Sequence, residues 1–195
     1  MPRSAGKRDD LHGNAPDESR VALLIIDMIN AFDFDGAKRL LPRAHDAARA
    51  IAALKRRARG AGVAVVYVND NFGRWRSDFR QILQRCLDSP GREIGELLKP
   101  EPDDYFVLKP KHSGFQFTTL DVLLEHLGAQ QLILTGVAGN FCVLFTAHDA
   151  YMRDYALTVP ADCIASLTPE NDRYALAHMA DVTKADVCKS TEIEL

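Results

Sequence analysis

No stretch of this chain is apolar over the roughly 20 residues that a membrane-spanning helix requires. Neither sign of charge is in large excess, because 24 Lys and Arg residues stand against 27 Asp and Glu residues and give a formal net charge of −3. Such a balance predicts neither a nucleic-acid partner nor a polybasic membrane surface. The N-terminal residues are charged and lack the apolar core of a signal peptide, which predicts a cytoplasmic location.

Cysteine is scarce, and no two cysteines form a Cys-x-x-Cys pair. Cys86, Cys142, Cys163 and Cys188 lie far apart, in a spacing that fits neither a zinc site nor a disulfide framework. We therefore predict that all of them are reduced thiols, as is usual in cytosolic proteins.

The composition itself is that of a globular domain, with 47% hydrophobic and 26% charged residues. Residues 1–19 mix charge with Gly and Pro and show no apolar periodicity, so they are predicted to be a flexible leader. Residues 20–195 are numerous enough to bury a hydrophobic core, and they are predicted to form one domain.

Short apolar runs alternate with longer amphipathic segments along this domain. The runs that predict strands are 21–26, 63–68, 105–108, 132–135, 156–160 and 185–188. Helices are predicted over 37–59, about 77–86, 94–98, 118–127 with a capping box at Thr118, 142–150 and 168–179. The alternation predicts a three-layer α/β fold, in which helices cover both faces of a roughly six-stranded, mostly parallel sheet.

The stretch 131–150 places a thiol at the start of a helix. An apolar run is followed by the glycine-containing turn 136–140, and then by Cys142 just before residues with helical apolar spacing. A thiol in the first helical turn lies near outward-pointing N–H groups and the positive end of the helix dipole, which both favour thiolate. Cys142 is therefore the candidate nucleophile.

Two charged side chains are predicted to reach the same place. Asp27 and Lys109 follow the first and third apolar runs, and the carboxyl ends of parallel strands meet at one edge of a sheet, where ligands bind. A carboxylate can take the thiol proton, and an ammonium group favours thiolate. His112 and His148 are further candidate bases, but His148 lies on the helix after the thiol and is expected to be packed or exposed.

The ordered motifs of the chain resemble those of the isochorismatase-like cysteine hydrolases, which include nicotinamidases, N-carbamoylsarcosine amidase and isochorismatase. The resemblance extends from about Val21 to Cys188. The matching segments are 24–28 with Phe32, 109–115 with Thr118 and Leu120, 136–138 with Cys142 and Val143, and 146–150.

The resemblance implies a role for each residue of the predicted site. It implies that Asp27 is the general base, that Lys109 is the charged member of a catalytic triad, and that Cys142 is the nucleophile. It also implies a cis peptide bond between Val137 and Ala138, which orients the N–H groups of Ala138 and Cys142 as an oxyanion hole. A further implication of the family is a homo-oligomer, either a dimer or a tetramer.

Several positions depart from the family pattern. Ile29 replaces a glutamine and Ala31 an acidic residue, while Gly139 and Asn140 replace Thr-Asp in the turn. Nicotinamidases of the family bind a metal ion through an Asp-x-His pair and a further His. The matching segment 70–72 reads Asp-Asn-Phe here, and no histidine lies between positions 45 and 112. The chain is therefore predicted to use neither a metal ion nor another cofactor.

The substrate-binding residues are predicted to surround the triad. Phe32 and Phe141 flank it in sequence and are expected to form walls of the pocket. The other candidates are Asn71, Trp75 and Phe115, for which a solvated loop or a place in the core is the competing interpretation.

Together these features predict a metal-independent cysteine hydrolase that cleaves a C–N bond of a small amide or carbamoyl compound through a Cys142 thioester. Asp27 is expected to take the thiol proton, to pass it to the departing amine and then to activate water. One alternative is a ligand-binding or interaction protein that has lost catalysis, and another is an isochorismatase-type hydrolase of vinyl ethers. A small-molecule substrate is the expected partner.

Overall fold

The computed structural model describes residues 18–76 and 78–195. Its strands are β1 (Val21–Ile26), β2 (Ala64–Asp70), β3 (Tyr105–Lys109), β4 (Gln131–Val137), β5 (Ala156–Pro160), β6 (Ile164–Ala165) and β7 (Asp186–Cys188). Its α-helices are α1 (Ala37–Gly60), α2 (Phe79–Leu87), α3 (Arg92–Leu97), α4 (Leu120–Leu127), α5 (Leu144–Tyr151) and α6 (Pro169–Val182). Nearly all of the predicted leader, residues 1–19, lies outside the described residues.

The strands form one parallel sheet in the order β3-β2-β1-β4-β5-β7, and β6 pairs with β4 beyond the end of β5. The register sets Ile26 beside Gly136 and Asp70 beside Lys109, so the carboxyl ends of β1, β2, β3 and β4 lie at one edge. Within the described residues the sheet has 7 strands, in agreement with the roughly six that were predicted. The additional strand is β6, and its 2 residues are too few to form a recognisable apolar run in the sequence.

Alternate side chains of β1 pack on opposite faces of the sheet. Leu23 and Ile25 belong to the apolar cluster that contains the buried face of α1, whereas Leu24 and Ile26 belong to the cluster shared with α4, α5 and α6. All of them are fully buried, and burial of such a side chain contributes about 1.5–3 kcal/mol. Helices on both faces explain the continuous apolar run of β1 and confirm the predicted three-layer α/β fold.

The local signals for helix starts were correct for α6 and wrong for α4, whose end at Leu127 before Gly128 agrees with the prediction. Thr168 precedes α6, and its side chain accepts a hydrogen bond from the N–H of Asn171, as the N-cap signature predicted. The capping box predicted at Thr118 is not formed, because α4 begins after Thr119 without a side-chain cap. The Thr118 hydroxyl instead donates a hydrogen bond to the carbonyl of Gly114, in the loop before the helix.

Two observations bear on the cellular context of the chain. All four cysteines are free, and three of them are buried. Within the described residues, no helix combines the length and the apolar character needed to cross a membrane. The cytoplasmic location and the homo-oligomer remain predictions.

Candidate active site

Four neighbouring strands bring charged and nucleophilic side chains to one edge of the sheet. Lys109 is the last residue of β3, Asp70 is the last residue of β2, and Asp27 directly follows β1. Cys142 lies beyond β4, in the π-helical turn Gly139–Val143 that leads into α5. These side chains meet because the strands are parallel and their carboxyl ends share this edge.

The backbone after β1 turns sharply where it presents Asp27. This residue has a φ of 53°, in the left-handed region that Asp and Asn tolerate better than most other residues. Its N–H donates to the carbonyl of Val68 at 3.0 Å, and its Oδ1 accepts from the N–H of Asp70 at 2.6 Å. Asp27 is thus hydrogen-bonded to β2 through both its backbone N–H and its carboxylate.

Glycine at position 136 allows β1 and β4 to come close together before the turn. Gly136 has a φ of 119°, and a Cβ added there would lie 2.0 Å from the carbonyl oxygen of Ile26. Only glycine accepts both this conformation and this contact, so the path of the chain toward the thiol depends on it. The peptide bond that follows, between Val137 and Ala138, is cis.

Three N–H groups of the π-helical turn donate hydrogen bonds to nearby oxygen atoms. Those of Phe141 and Val143 both donate to the carbonyl of Ala138, at 3.0 and 3.3 Å. The N–H of Asn140 donates to the hydroxyl of Ser166 at 3.2 Å. The two N–H groups predicted for the oxyanion hole are not among these three.

The three residues predicted to be catalytic meet at one ammonium group. Lys109 Nζ lies 2.8 Å from Asp27 Oδ2 and 3.4 Å from Cys142 Sγ. The Asp27 carboxylate and the Cys142 thiol also influence each other's ionisation. The Lys109 side chain is fully buried, and Asp27 is 5% and Cys142 9% exposed. Charge interactions between them are therefore only weakly screened by water.

Lys109 has two further partners. Its Nζ lies 3.5 Å from Asp70 Oδ2 and donates a hydrogen bond to the carbonyl of Lys111 at 3.2 Å. Asp70 was missing from the predicted site, although it lies two residues after the apolar run 63–68. A carboxylate near the end of a predicted strand was the signal that could have found it.

Burial governs the ionisation of this cluster. It raises the pKa of Asp27, an effect that the Lys109 ammonium group only partly offsets. Burial acts to lower the pKa of Lys109, but the negative charges of Asp27 and Cys142 outweigh it and raise that pKa. Burial and the Asp27 charge raise the pKa of the Cys142 thiol, against the opposing effect of Lys109. Burial thus opposes the thiolate that the helix start and Lys109 were expected to favour, and a neutral thiol needs a base before it can attack.

An imidazole approaches the thiol from the solvent side. Nδ1 of His112, an exposed residue, lies 3.8 Å from Cys142 Sγ. The imidazole ring stacks on Phe145, with 5.6 Å between centroids, and its centroid lies 5.8 Å from that of Phe141. The sequence offered His112 only as one of two candidate bases, because nothing in the local pattern shows where its loop folds.

The predicted substrate-binding residues lie in different environments. Phe141 is 47% exposed and contacts the imidazole ring beside the thiol. Phe32 and Asn71 are buried, and the side chain of Asn71 accepts a backbone hydrogen bond within its own turn. Trp75 is 80% exposed, whereas Phe115 is buried with a tyrosine ring 6.1 Å away. Phe32 and Phe115 each belong to an apolar core cluster, and the substrate contacts of all five residues stay predictions.

A cavity of about 210 Å³ lies beside the loop that follows β1. It is lined by Ile29, Asn30, Ala31, Asp33, Phe72, Arg74, Gln81, Ile82 and Arg85. Two departures from the family pattern, Ile29 and Ala31, are among these residues, whereas none of the three catalytic candidates is. Those departures therefore change the lining of a neighbouring cavity and leave the contacts among the catalytic candidates intact.

Comparison with known proteins places the chain in a family. The family model for the isochorismatase domain matches residues 21–192. The uncharacterized isochorismatase family protein YaaI of Bacillus subtilis (strain 168) is 43% identical over 172 residues, which cover 88% of this chain and 95% of that protein. The ureidoacrylate amidohydrolase RutB of Methylorubrum extorquens is 30% identical over 187 residues, which cover 78% of this chain and 73% of that protein.

Solved structures share the same fold. The crystal structure of N-carbamoylsarcosine amidase from Thermoplasma acidophilum matches with a TM-score of 0.72 and 28% identity, and the match covers 90% of this chain and 99% of that one. The resemblance drawn from the motifs is thereby confirmed over nearly all of the described residues. This chain is a hydrolase of the isochorismatase family.

Proposed function

We propose that this chain is a cysteine hydrolase that cleaves a C–N bond in a small amide or carbamoyl compound. The contact of Cys142 with both Asp27 and Lys109 carries the proposal, because a neutral buried thiol attacks a carbonyl effectively only when a base takes its proton. The relatives named ureidoacrylate amidohydrolase and N-carbamoylsarcosine amidase support a C–N bond as the target.

In the first half of the reaction, Asp27 takes the thiol proton while the sulfur of Cys142 attacks the carbonyl carbon. The Lys109 ammonium group stabilises the negative charge that passes between sulfur and carboxylate. The N–H groups of Ala138 and Cys142 bind the developing oxyanion, and one such donor typically contributes about 3–4 kcal/mol to transition-state stabilisation. The C–N bond breaks, Asp27 passes the proton to the departing nitrogen, and a thioester remains.

In the second half, water attacks the thioester carbon and gives up one proton to Asp27. The C–S bond breaks, the sulfur of Cys142 regains a proton from Asp27, and the acid product leaves. Asp27 thus gains and loses one proton in each half, so the cluster returns to its starting charge. This balance is favourable at a site that water screens poorly.

The proposal includes no metal ion, because the side chains at the matching segment make other contacts. In segment 70–72, which matches the metal-binding motif of nicotinamidases, Asp70 faces Lys109 and Asn71 binds the backbone N–H of Gly73. Within the described residues, no group of three or more His, Cys, Asp and Glu side chains is arranged to hold a metal ion. The donor set of the family's metal site is therefore not reproduced here.

Ammonia release from a panel of primary amides and N-carbamoyl compounds tests the proposal. We expect Cys142→Ala to abolish turnover and Cys188→Ala, which removes a half-buried thiol on the edge strand β7, to retain it. Acid-quenched reactions should contain a mass adduct of the acyl group on the peptide that includes Cys142. Full turnover by Cys142→Ala would refute the mechanism, and saturable ligand binding without any turnover would favour a binding protein.

A further inference from the structure

The cavity beside the loop after β1 carries a net positive charge. Among the described residues that line it, Arg74 and Arg85 are the cations, and Asp33 is the one carboxylate. Its volume of about 210 Å³ is far larger than the about 10–15 Å³ that a single water molecule requires. The cavity therefore has the charge and the room to bind a small anionic group.

Two walls of this cavity are loops that leave the catalytic edge of the sheet. Ile29 lies two residues after Asp27, and Phe72 lies two residues after Asp70, whose N–H donates to Asp27 Oδ1 at 2.6 Å. Two residues of extended chain span at most about 7 Å, so the backbone of each wall lies within this distance of one of these carboxylate residues. The cavity is thus adjacent to the candidate active site, although no catalytic candidate lines it.

The sheet order limits the separation of the cavity and the thiol. The strand β1 lies between β2 and β4, and neighbouring strands are about 4.8 Å apart. The cavity is lined by the loops after β1 and β2, whereas Cys142 lies in the turn after β4. A compound whose carbonyl carbon meets Cys142 can therefore reach the cavity with an extension of about 5–10 Å, the length of a short carbon chain.

One of the two guanidinium groups is held in the wall by an ion pair. Arg85, on α2, pairs with Asp33 in the loop after β1. A guanidinium group has five N–H donors in a planar fork that matches a carboxylate, so one partner leaves donors for a second. This wall therefore offers a charged donor at a defined place.

A departure from the family pattern contributes to the positive charge of the cavity. Ala31 replaces an acidic residue, and it lines the cavity together with Ile29, which replaces a glutamine. A carboxylate at position 31 would cancel the net positive charge of the lining and would repel an anionic ligand at short range. Alanine at this position removes that repulsion.

We propose that this cavity binds a carboxylate of the substrate, and as a substrate subsite it rests on the proposed function. The substrate is then an amide or N-carbamoyl compound with a carboxylate a few bonds from the scissile carbonyl. Arg74 and Arg85 bind the carboxylate, and this contact holds the carbonyl carbon near Cys142. Because the carboxylate does not change during the reaction, its binding lowers KM more than it raises kcat.

Pairs of compounds that differ in one charge test the substrate class. Glutaramate and valeramide are primary amides of similar size, of which only glutaramate carries a carboxylate. N-carbamoyl-β-alanine and propylurea form a second such pair. We expect the wild type to release ammonia from the anionic member of each pair with a kcat/KM at least about 10-fold higher, the usual effect of a hydrogen bond to a charged group.

Variants of the lining assign this preference to the cavity. Arg74→Gln and Arg85→Gln each remove one charge, and Arg80→Gln, at an exposed position of α2 outside the cavity, is their control. We expect each cavity variant to lower the preference for the anionic member by about 10-fold, mainly through KM, and Arg80→Gln to keep the preference. Ala31→Asp should also lower the preference, and Ala31→Asn, which adds a similar volume without charge, should lower it less.

Binding to Cys142→Ala is the measurement that does not depend on turnover. In isothermal titration calorimetry this variant should bind glutaramate at least about 10-fold more tightly than valeramide. A wild type that hydrolyses neither pair, while Cys142→Ala binds glutaramate selectively, would overturn the proposed function and support the anion subsite.

Three results would overturn the subsite itself. The first is an equal kcat/KM for the two members of each pair, and the second is a lack of selective binding by Cys142→Ala. The third is an equal loss on both members in Arg74→Gln and Arg85→Gln, because such a loss reflects folding or positioning rather than recognition of charge. Thermal unfolding of each variant, measured alongside, identifies a variant that is not folded.

Discussion

Replacing Lys109 by methionine is expected to leave the Asp27 carboxylate buried without its partner. In the wild type Lys109 Nζ lies 2.8 Å from Asp27 Oδ2, and the two side chains are 0% and 7% exposed. Methionine has a flexible apolar side chain similar in length to the aliphatic part of lysine, so Lys109→Met removes the charge with little change in packing. Removing one partner of a buried ion pair typically costs about 3–5 kcal/mol, and we expect a loss of this size in the free energy of unfolding near neutral pH.

A second substitution tests whether the buried charge is the cause of that loss. Asp27→Asn removes the carboxylate, suits the φ of 53°, and keeps an Oδ1 acceptor for the N–H of Asp70. In the single variant Asp27→Asn, Lys109 still has the Asp70 carboxylate at 3.5 Å. We therefore expect a smaller loss in the free energy of unfolding, of about 1–3 kcal/mol. The double variant Lys109→Met/Asp27→Asn should be more stable than Lys109→Met, because no charge is then buried without a partner.

The pH dependence gives an independent signature of the same charge. In Lys109→Met, burial raises the pKa of Asp27 without the opposing ammonium group, and so moves it further above its usual range. A carboxyl group with a higher pKa in the folded chain binds more protons there than in the unfolded chain, so lower pH favours folding. The stability of Lys109→Met should therefore approach that of the double variant as the pH falls from about 8 to about 5.5.

Urea unfolding of the four proteins, followed by circular dichroism at both pH values, measures these differences. Equal m values would show that the variants expose similar surface on unfolding. If the stability losses of the two single variants add up to the loss of the double variant to within about 0.5 kcal/mol, the two side chains act independently and the reasoning is refuted. A gap between Lys109→Met and the double variant that does not change with pH would refute the assignment of the effect to Asp27.

Two further predictions concern parts of the chain outside the site. Gly91→Ala should lower the free energy of unfolding by about 1–3 kcal/mol, because an added Cβ would lie 1.9 Å from the Asn30 carbonyl oxygen. Gly60→Ala, where an added Cβ would meet no described atom within 4 Å outside its chain neighbours and the backbone of α1, should cause no loss in the same urea unfolding experiment. Burial and the neighbouring His178 lower the pKa of His148. The folded chain therefore binds fewer protons than the unfolded chain, and the free energy of unfolding should decrease as the pH falls from about 7.5 to about 5.5. His178→Gln should reduce this fall in thermal melts, and an unchanged pH dependence would contradict the explanation.

The sheet was largely predictable because strands buried on both faces leave a simple pattern. The run of β1 is continuous since successive side chains face α1 on one side and α4 to α6 on the other. The strand β6 was not predictable, because its 2 residues extend the sheet only through pairing with β4, which is distant in sequence. The helix start near Thr118 was misjudged for a related reason, since its hydroxyl bonds to a loop that the local pattern does not define.

The site was predictable where position along a strand decides it. Asp27, Lys109 and Cys142 follow apolar runs, and parallel strands carry such residues to a common edge. The place of His112 depends instead on the bond between Gly114 and Thr146, 32 residues apart, which no local motif encodes. The raised pKa of the thiol was also out of reach, because burial, its largest cause, is a property of the folded chain.

The departure at Gly139 lies in the turn that carries the candidate nucleophile Cys142. A Cβ at this position would lie 2.9 Å from the Cδ1 of Ile164 and 3.1 Å from the Oγ of Ser166, so neighbouring side chains occupy the space that a larger residue would need. The same Ser166 hydroxyl accepts a hydrogen bond from the N–H of Asn140, and so supports the turn from the residue that follows β6. Asp172 Oδ1, which has no hydrogen-bond partner within the described residues, lies 3.4 Å from the same point. Gly139 and Asn140 thus alter what supports the turn while the contacts of the thiol are retained, which argues for an altered scaffold rather than for lost catalysis.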